Sequence, residues 1–376
     1  MSVRMLAQGW LVLEITDSPF WVGSVAGLQG LGLLVFGVFG GTIVDRYDKR
    51  KVLILVHCLS GVLAVFTGVL VITGMVEVWH LCLIVILQGA LMGTQLPATN
   101  SLAYNLVGPG LLLNSMATRL LAMNISRFIG SLIAGVLLSS FGVGSAYIFA
   151  GLSSIIALVI LLFITGQFRD VSGRENFFYS TQQGLSYILN NRRILGLLLL
   201  SLLMEMFGFS HLIMLPIIAR DVLGVGAIGL GLLSASSGFG SIISTLFVAG
   251  LGDFDKKGML LGCTALCAGL SLIMFAFSPW FAASILLAAI VGGALMSYDV
   301  TIGTIIQLLV TDSMRGRVLG VYGLTFGFTP IGGFVAGIIA SLMSVQIALG
   351  LGGMILSLFI AARFRFISSI QQPENE

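Results

Sequence analysis

Eleven long apolar runs, separated by short polar stretches, constrain this chain more than any other feature. Each run has roughly 20 mostly apolar residues, the length that an α-helix needs to cross a hydrocarbon core of about 30 Å. The chain is 57% hydrophobic and only 9% charged, whereas soluble domains are about 25% charged. Its polar residues are therefore too few to cover a water-soluble globule. We predict an all-α integral membrane protein with spans at residues 20–44, 52–74, 78–103, 116–140, 145–166, 194–219, 227–251, 259–277, 280–308, 318–342 and 345–366.

A twelfth apolar run, Met1 to Ile15, ends at the turn Thr16-Asp17-Ser18-Pro19. As a helix it would reach only about 22 Å, which is shorter than the hydrocarbon core. Either the start codon lies upstream of Met1 or the first helix is a half-helix, and we favour the first explanation. With this truncated run as span 1, the chain has about twelve predicted spans, numbered here in chain order.

The longest polar stretch, Gln167 to Arg193, divides the spans into two equal sets. We expect an N-terminal helix bundle at 1–166 (spans 1–6), a cytoplasmic linker at 167–193, a C-terminal helix bundle at 194–366 (spans 7–12) and a cytoplasmic tail at 367–376. Lys and Arg fall in every second loop, with Arg220 as the exception, and loops rich in these residues face the cytoplasm. We therefore expect a multi-pass protein of the cytoplasmic (plasma) membrane with both termini in the cytoplasm.

Matching residues in the two sets of spans indicate an internal duplication. A shift of 208 positions places three glycines of span 2 on three of span 8, and a shift of 212 relates the ends of spans 4 and 10. The pairs are Gly23, Gly30, Gly32 and Asp45 with Gly231, Gly238, Gly240 and Asp253, and Gln95 and Asn100 with Gln307 and Asp312. Two parallel repeats would place a substrate site at their interface, near mid-membrane.

Ionisable residues inside the predicted spans are few, and each costs roughly 2.5–3.5 kcal/mol or more at the bilayer centre. Such residues generally face a cavity or a partner. They are Arg4 in span 1, Arg127 in span 5, Glu205 and His211 in span 7 and Asp299 in span 10, while Gln88 and Gln95 add polar groups to span 4. These positions mark a candidate transport path.

The acids are the candidates for carrying a proton, because burial disfavours the charged form of a carboxylate. Our hypothesis is that Glu205 or Asp299 carries a coupling proton and that Arg4 is its counter-charge or a contact for an anionic substrate. A permanent bridge between Arg4 and one acid is the alternative. We expect Arg127 to be structural, and we expect His211, six positions after Glu205, to lie on another helix face.

The loop from Gly41 to Arg50 resembles the signature between helices 2 and 3 of the major facilitator superfamily, with Asp48 in place of its second glycine. The resemblance covers nearly the whole chain. It implies a major-facilitator-type fold of two six-helix bundles related by a pseudo-two-fold axis, with helix 1 truncated. It also implies that helices 1, 4, 7 and 10 line the central cavity, and these helices carry most of the ionisable residues above.

Four further stretches resemble the branch of enterobactin exporters and macrolide-efflux permeases: 10–19, 124–130, 215–223 and 307–318, the last followed by Pro330 and Gly332. The resemblance implies that Asp45 locks the two halves against helix 11 on the cytoplasmic side when the protein opens outward. The other residues expected to take part in this lock lie in the signature loop and in the matching loop after helix 10. They are Gly41, Arg46, Arg50, Asp312, Arg315, Gly316 and Arg317. The alternative is that these residues only determine the orientation of the chain in the membrane. Helix-packing roles are expected for Arg127, Gly130, Gly135, Pro330 and Gly332.

Two departures from the wider family weaken part of this picture. Val85 stands where many drug–proton antiporters have an arginine, and Ser131 follows Gly130 where they have a proline. The first departure puts an arginine-dependent mode of proton coupling in doubt, and the second weakens assignment to the drug antiporters.

These observations predict a secondary active transporter that works by alternating access, as a proton-coupled exporter of a small amphipathic molecule such as a drug, a macrolide or a siderophore. An uncoupled facilitator or an importer is the alternative. A membrane enzyme or a sensor is remote, because the sequence shows no cluster of catalytic groups and no phosphate-binding GxxxxGK[ST] loop. We expect a monomer whose partners are the substrate, protons and the bilayer, with no cofactor, no metal and no nucleic acid.

Overall fold

The computed structural model describes residues 2–166, 168, 177–252 and 254–369. These residues form α-helices joined by short turns, and none of them lies in a β-strand. The helices are α1 Ser2–Thr16, α2 Pro19–Arg46, α3 Lys49–Ile72, α4 Val78–Phe163, α5 Phe177–Asn190, α6 Arg192–Leu203, α7 His211–Ile217, α8 Gly226–Gly250, α9 Lys257–Ala276, α10 Phe281–Leu309, α11 Asp312–Thr325, α12 Phe328–Leu342 and α13 Val345–Ser368.

Two glycines divide the long helix α4 into spans 4, 5 and 6. Gly108 and Gly142 have φ angles of +71° and +75°, a left-handed conformation that glycine adopts without a steric penalty. The three spans are 78–107, 109–141 and 143–163. We predicted a connection at residues 104–115, but the backbone there is helical except at Gly108, because one glycine is enough to break the helix.

Ten described segments are long and apolar enough to cross a membrane. One of them, Thr118–Phe163, contains both span 5 and span 6. Span 7 consists of α6 and α7, each followed by a π-helical segment, Met204–Phe209 and Ile218–Val222. Span 11 consists of α11 and α12. With the 15-residue helix α1 as span 1, the all-helical membrane architecture predicted from the apolar runs is confirmed.

Polar residues in the short connections begin the helices that follow them. Asp48 accepts a hydrogen bond from the backbone N–H of Lys51 (3.1 Å) at the start of α3. Asn191 accepts hydrogen bonds from the N–H groups of Arg193 (3.1 Å) and Ile194 (3.3 Å) at the start of α6. Because the first N–H groups of a helix have no partner within it, these side chains fix where the spans begin.

Close contacts within each half follow the predicted repeat. We call spans 1–6 the N half and spans 7–12 the C half. A Cβ atom built on Gly32 of span 2 would lie 2.4 Å from the carbonyl oxygen of Ile86 in span 4. A Cβ atom on the matching Gly240 of span 8 would lie 1.9 Å from the carbonyl oxygen of Ala289 in span 10. Spans 2 and 4 therefore pack as closely as spans 8 and 10.

Contacts between the halves follow the same repeat. Gly23 of span 2 packs on Gly337 of span 11, and its match, Gly231 of span 8, packs on Gly135 of span 5. Because span 11 is the repeat of span 5, both pairs are the same contact seen from opposite halves. This is the arrangement expected of a pseudo-two-fold axis. Of another pair of the repeat, Asp45 and Asp253, the side chain of Asp45 and the whole of Asp253 lie outside the described part of the chain.

The two halves are packed together at one end. We call the end with the Lys- and Arg-rich loops the basic side. At the other end, a Cβ atom on Gly9 of span 1 would lie 2.8 Å from the ring of Pro216 in span 7, and Asp17 pairs with Arg220. Helix α12 packs along α2 there, whereas α11, nearer the basic side, packs on α5 and α6. The described contacts between the halves thus loosen toward the basic side along span 11.

Candidate functional site

Four charged side chains lie at similar depth in the bundle. Arg4 lies about 18 Å from the end of α1, and Glu205 lies about 20 Å from the start of α6, by the helical rise of 1.5 Å per residue. Asp299 lies about 15 Å from the end of α10, and Arg127 attracts both acids electrostatically and so lies near their depth. Since the hydrocarbon core is about 30 Å thick, all four are near its middle.

The two carboxylates are held by hydroxyl groups of span 11. Glu205 is only 4% exposed and accepts a hydrogen bond from Thr329. Asp299 is partly buried and accepts a hydrogen bond of 2.7 Å from the hydroxyl of Tyr322. The carboxylates are also close enough to repel each other electrostatically. Spans 7, 10 and 11 therefore hold two acids together within the C half.

Arg127 is the arginine that faces these acids. It attracts both Glu205 and Asp299 electrostatically, although it belongs to the N half. It also lines a cleft between the halves, together with Ser2, Met5 and Leu6 of span 1, Leu212 of span 7 and Ser234 of span 8. We expected Arg127 to be structural and Arg4 to be the counter-charge, and both roles stay predictions. In this structure Arg127 attracts both acids electrostatically, although it forms no ion pair with either of them among the described side chains.

The spacing along span 5 explains this position. Ser131, one turn after Arg127, is hydrogen-bonded to Ser234 (2.9 Å), and Gly135, one turn further, packs on Gly231. Residues four apart lie on the same helix face, so Arg127 shares the face that meets the C half. This spacing is visible in the sequence and is the signal that our prediction missed.

The side chain of Arg4 interacts with residues of its own half. It donates a hydrogen bond to Gln88, which is 4% exposed, and it interacts electrostatically with Tyr147 of span 6. One turn further along span 1, Gln8 lies 3.5 Å from Gln29 of span 2. These groups form a polar cluster of the N half that contains Arg4 but neither of the two mid-membrane carboxylates.

Gln95 and His211, the other two predicted pathway residues, have partners outside the acid cluster. Gln95 lies 3.5 Å from His57 of span 3. His211 is buried, with Nδ1 2.6 Å from the carbonyl oxygen of Gly208 and its ring against Phe275 of span 9. The π-helical segment that contains Glu205 changes the helical phase before His211, so our argument from α-helical spacing does not apply there. Such segments are frequent at functional sites.

The signature loop is tied to the end of span 6. Arg50 donates hydrogen bonds of 2.8 Å to the carbonyl oxygens of Leu161 and Leu162, where a cation complements the negative end of the helix dipole. Gly41 lies in the last turns of α2, which ends at the exposed Arg46. The side chain of Asp45 lies outside the described part of the chain. In this conformation the described side-chain contacts of Arg50 are therefore with its own half.

Asp48 fixes the same loop through three backbone groups. Its carboxylate accepts hydrogen bonds from the N–H groups of Phe168 (2.9 Å) and Lys51 (3.1 Å). Burial acts to raise the pKa of Asp48, but the N–H groups of Phe168, Lys51 and Arg50 outweigh it and hold the pKa below the ordinary value of 3.8. The residue that replaces the family's glycine is thus a helix cap.

The matching loop between spans 10 and 11 is held in a similar way. Arg315 donates to the carbonyl oxygen of Gln307 (3.2 Å) near the end of span 10. The backbone of Arg317 contacts Gly184 of α5, and a Cβ atom on Gly316 would meet no described atom within 4 Å. Asp312 begins α11, and its side chain lies outside the described residues.

Three of the predicted packing residues lie at close contacts. A Cβ atom on Gly332 would lie 1.8 Å from the carbonyl oxygen of Met206 in span 7. Pro330 packs on Gly30 across the two halves, and Gly130 lies near Ser2 of span 1. Gly135, described above, makes the fourth such contact.

Arg220 joins the two halves at the end opposite the basic side. It forms an ion pair with Asp17 and donates to the carbonyl oxygen of Leu13 (3.1 Å), both of which belong to the N half. It also contacts Asp221 (2.6 Å). Arg220 is the exception in the distribution of positive charge, and the structure shows that it has a specific partner across the interface.

The fold and this arrangement of charged groups define a membrane transporter of the major facilitator superfamily. A family model described as "Transmembrane secretion effector" matches residues 1–375. The chain therefore belongs to the transmembrane secretion effector family, whose matched relatives are transporters and not enzymes.

Curated relatives and solved structures agree with this assignment. The chain is 25% identical over 310 residues to the enterobactin exporter EntS of Salmonella choleraesuis (strain SC-B67), covering 82% of this chain and 74% of that protein. It is 24% identical over 308 residues, with the same coverage, to the enterobactin exporter EntS of Escherichia coli O1:K1 / APEC.

Solved structures share the fold at low identity. The crystal structure of the nucleoside transporter NupG is 14% identical, with a TM-score of 0.74 and coverage of 98% of this chain and 97% of that one. A bacterial homolog of the human lysosomal transporter Spinster, inward-facing and unoccupied, is 14% identical with a TM-score of 0.73 and coverage of 100% and 96%. The predicted major-facilitator-type fold is confirmed.

Proposed function

We propose that this chain is a proton-coupled exporter of a small amphipathic molecule (a drug, a macrolide or a siderophore) that works by alternating access. The observation that carries the proposal is the electrostatic attraction of Arg127, which lines the cleft between the halves, to Glu205 and Asp299 of the other half. Such a group of charges at mid-membrane is costly and is found chiefly where ions or substrates move.

The coupling follows from the electrostatics of this group. While Glu205 or Asp299 is ionised, its attraction to Arg127 holds the C half against the N half. A proton on that carboxylate removes its attraction to Arg127. The balance between the two packings of the halves then changes, as it must if a proton is to drive the transport cycle.

The direction of transport is inferred from the relatives and from the charge distribution. The curated relatives are named enterobactin exporters. We assign the basic side to the cytoplasm, with both termini there, because loops rich in Lys and Arg remain cytoplasmic. Since the contacts between the halves loosen toward that side along span 11, this conformation would take its substrate from the cytoplasm and release it outside after rearrangement.

The signature loops would act in the opposite conformation. When the outer side opens, Asp45 would meet the start of a helix in span 11, and Arg46, Arg50, Arg315 and Arg317 would lie between the closing halves. The unit of function would be a monomer of two bundles, 1–166 and 194–366, joined by the linker 167–193.

An accumulation assay tests this function. Cells that express the chain are loaded with erythromycin, ethidium or enterobactin, with and without an uncoupler of the proton gradient. We expect at least one compound to be accumulated less, and the uncoupler to remove the difference. The double variant Glu205→Gln, Asp299→Asn should behave like uncoupled cells at equal expression. Export that survives both treatments would favour an uncoupled facilitator instead.

A further inference from the structure

The charges at mid-membrane are divided by sign between the two halves. Arg4 and Arg127 belong to the N half, and Glu205 and Asp299 belong to the C half. Arg127 attracts both carboxylates, so the acid cluster already has its cation. Arg4 is therefore a second mid-membrane cation whose described partners are not acids.

The surroundings of Arg4 contain neutral groups. Its hydrogen bond goes to the side-chain amide of Gln88, and its electrostatic partner is the phenol of Tyr147. Among the described side chains, Arg220 forms ion pairs with Asp17 and Asp221, and Arg4 forms none. A guanidinium at this depth is costly unless an anion compensates it.

The guanidinium of Arg4 keeps N–H groups that could bind such an anion. A guanidinium has five N–H donors in a planar fork suited to carboxylate, sulfonate or phosphate oxygens, and Gln88 accepts a bond from only one of its nitrogens. Arg4 is only partly buried. Ser2 and Met5, on the same turn of span 1, line the narrow cleft between the halves.

We propose that Arg4, held by Gln88, binds an anionic group of the transported molecule, a carboxylate, sulfonate or phosphate. That the bound molecule is transported rests on the proposed function, whereas the binding itself does not depend on proton coupling. The anion would bind in the N half and the proton in the C half.

Thermal unfolding of the purified protein in phosphatidylcholine nanodiscs tests the site. The probes are naphthalene-2-sulfonate and the matched cation (naphthalen-2-yl)trimethylammonium, which share one aromatic body. Because a ligand that binds only the folded state raises the melting temperature, we expect the sulfonate to raise it by about 2–4 °C at saturation and the cation to leave it unchanged.

Variants of Gln88, Arg4 and Asn100 show which residues are responsible for the rise in melting temperature. Gln88→Glu gives Arg4 an internal carboxylate and should abolish the shift, as should Arg4→Gln, while Arg4→Lys should keep part of it. Asn100→Asp is the matched control, because Asn100 lies on the same span and accepts a hydrogen bond from Arg119; it should keep the full shift. If Arg4→Gln does not fold, the Gln88→Glu result decides.

Three outcomes would overturn the proposal. They are a shift equal for both probes, a shift that survives Gln88→Glu, and a shift lost in discs that contain phosphatidylglycerol, which would assign the site to a lipid headgroup. The double variant Glu205→Gln, Asp299→Asn should keep the shift. A normal shift with uncoupled transport would therefore reject the proposed proton coupling and leave the anion site intact.

Discussion

Arg127 shows how one residue can decide the electrostatics of the whole interface. Arg127 belongs to span 5 of the N half, but the helix face that it shares with Ser131 and Gly135 packs on span 8 of the C half. The guanidinium consequently faces two carboxylates of the other half. Removing it leaves two like charges near mid-membrane without a counter-charge, a more damaging change than loss of a surface ion pair.

We therefore expect Arg127→Gln to reduce pH-gradient-driven export by about tenfold or more, with Arg127→Lys retaining part of the activity. Export from cells at matched expression is the measurement. Arg119→Gln is the control, since Arg119 lies on the same span but donates to Asn100, and it should export nearly normally. Equal effects of the two glutamine variants would contradict the role given to Arg127.

Asp48 offers a second test at the scale of one side chain. It caps α3 and also accepts the N–H of Phe168, so Asp48→Ala should lower the free energy of unfolding by about 0.5–2 kcal/mol. The pKa of Asp48 lies below its ordinary value of 3.8, so its ionised form stabilises the fold above that pH. The stabilisation is lost as the pH falls through the lower, folded-state pKa.

Melting curves of the purified protein and of Asp48→Ala between pH 7 and pH 2 check this expectation. The difference in stability should be constant at neutral pH and shrink below about pH 4. Asp48→Asn, which can still accept one hydrogen bond, should be intermediate at pH 7. A difference between wild type and Asp48→Ala that grows on acidification would contradict the assigned cap.

Among the helices, glycine contacts decide how closely parallel spans approach. In a membrane, helix association depends on packing and polar contacts, because lipid tails are as apolar as the side chains. The carbonyl oxygen of Ala289 lies so close to Gly240 that a Cβ atom built on Gly240 would be 1.9 Å from it. Gly32 makes the matching contact in the N half. Any side chain at these positions separates a pair of spans.

We expect Gly240→Ala to destabilise the protein by about 1–3 kcal/mol, the usual cost of overpacking. Gly303, also in a helix of the C half, has no described atom within 4 Å of its Cβ position. Gly303→Ala should be neutral or stabilise by up to about 1 kcal/mol, since alanine is the better helix former. The melting temperatures of the two variants are measured in the same detergent. A Gly240→Ala protein as stable as wild type would contradict the close contact between Gly240 and Ala289.

For the whole molecule, the ion pair between Arg220 and Asp17 closes the end opposite the basic side. Both partners are accessible to solvent, with side-chain exposures of 30% and 84%. We expect Arg220→Gln to favour opening of that end by about 1 kcal/mol, roughly fivefold in population. The fold itself should be unaffected, because the glycine contacts between spans 2 and 11 remain.

Spin labels on that end measure the change. Met75→Cys in the N half and Trp280→Cys in the C half replace exposed residues, in a background where the four native cysteines are serine. The longer inter-label distance should gain population in Arg220→Gln. Arg119→Gln, which alters the basic end, is the control. An unchanged distance distribution in Arg220→Gln would show that the ion pair does not hold this end closed.

The sequence by itself determined the class of this protein and the order of its helices. Because a backbone in lipid must satisfy its hydrogen bonds internally, a run of about 20 apolar residues becomes a spanning helix whatever lies around it. Cap residues such as Asp48 and Asn191 then set where helices begin, and the glycine repeat already indicated the two-fold arrangement. All of these signals are local or periodic, and they need no knowledge of neighbouring helices.

Only the tertiary structure decided which charged groups meet. Arg4 and Gln88 are 84 positions apart, and Arg220 and Asp17 are 203 apart. Helical spacing can say that Arg127 and Ser131 share a face, but it does not say that span 8 covers that face. In the packed structure Arg127, and not Arg4, attracts the two acids electrostatically, because electrostatic interaction depends on distance in space and not on position in the chain.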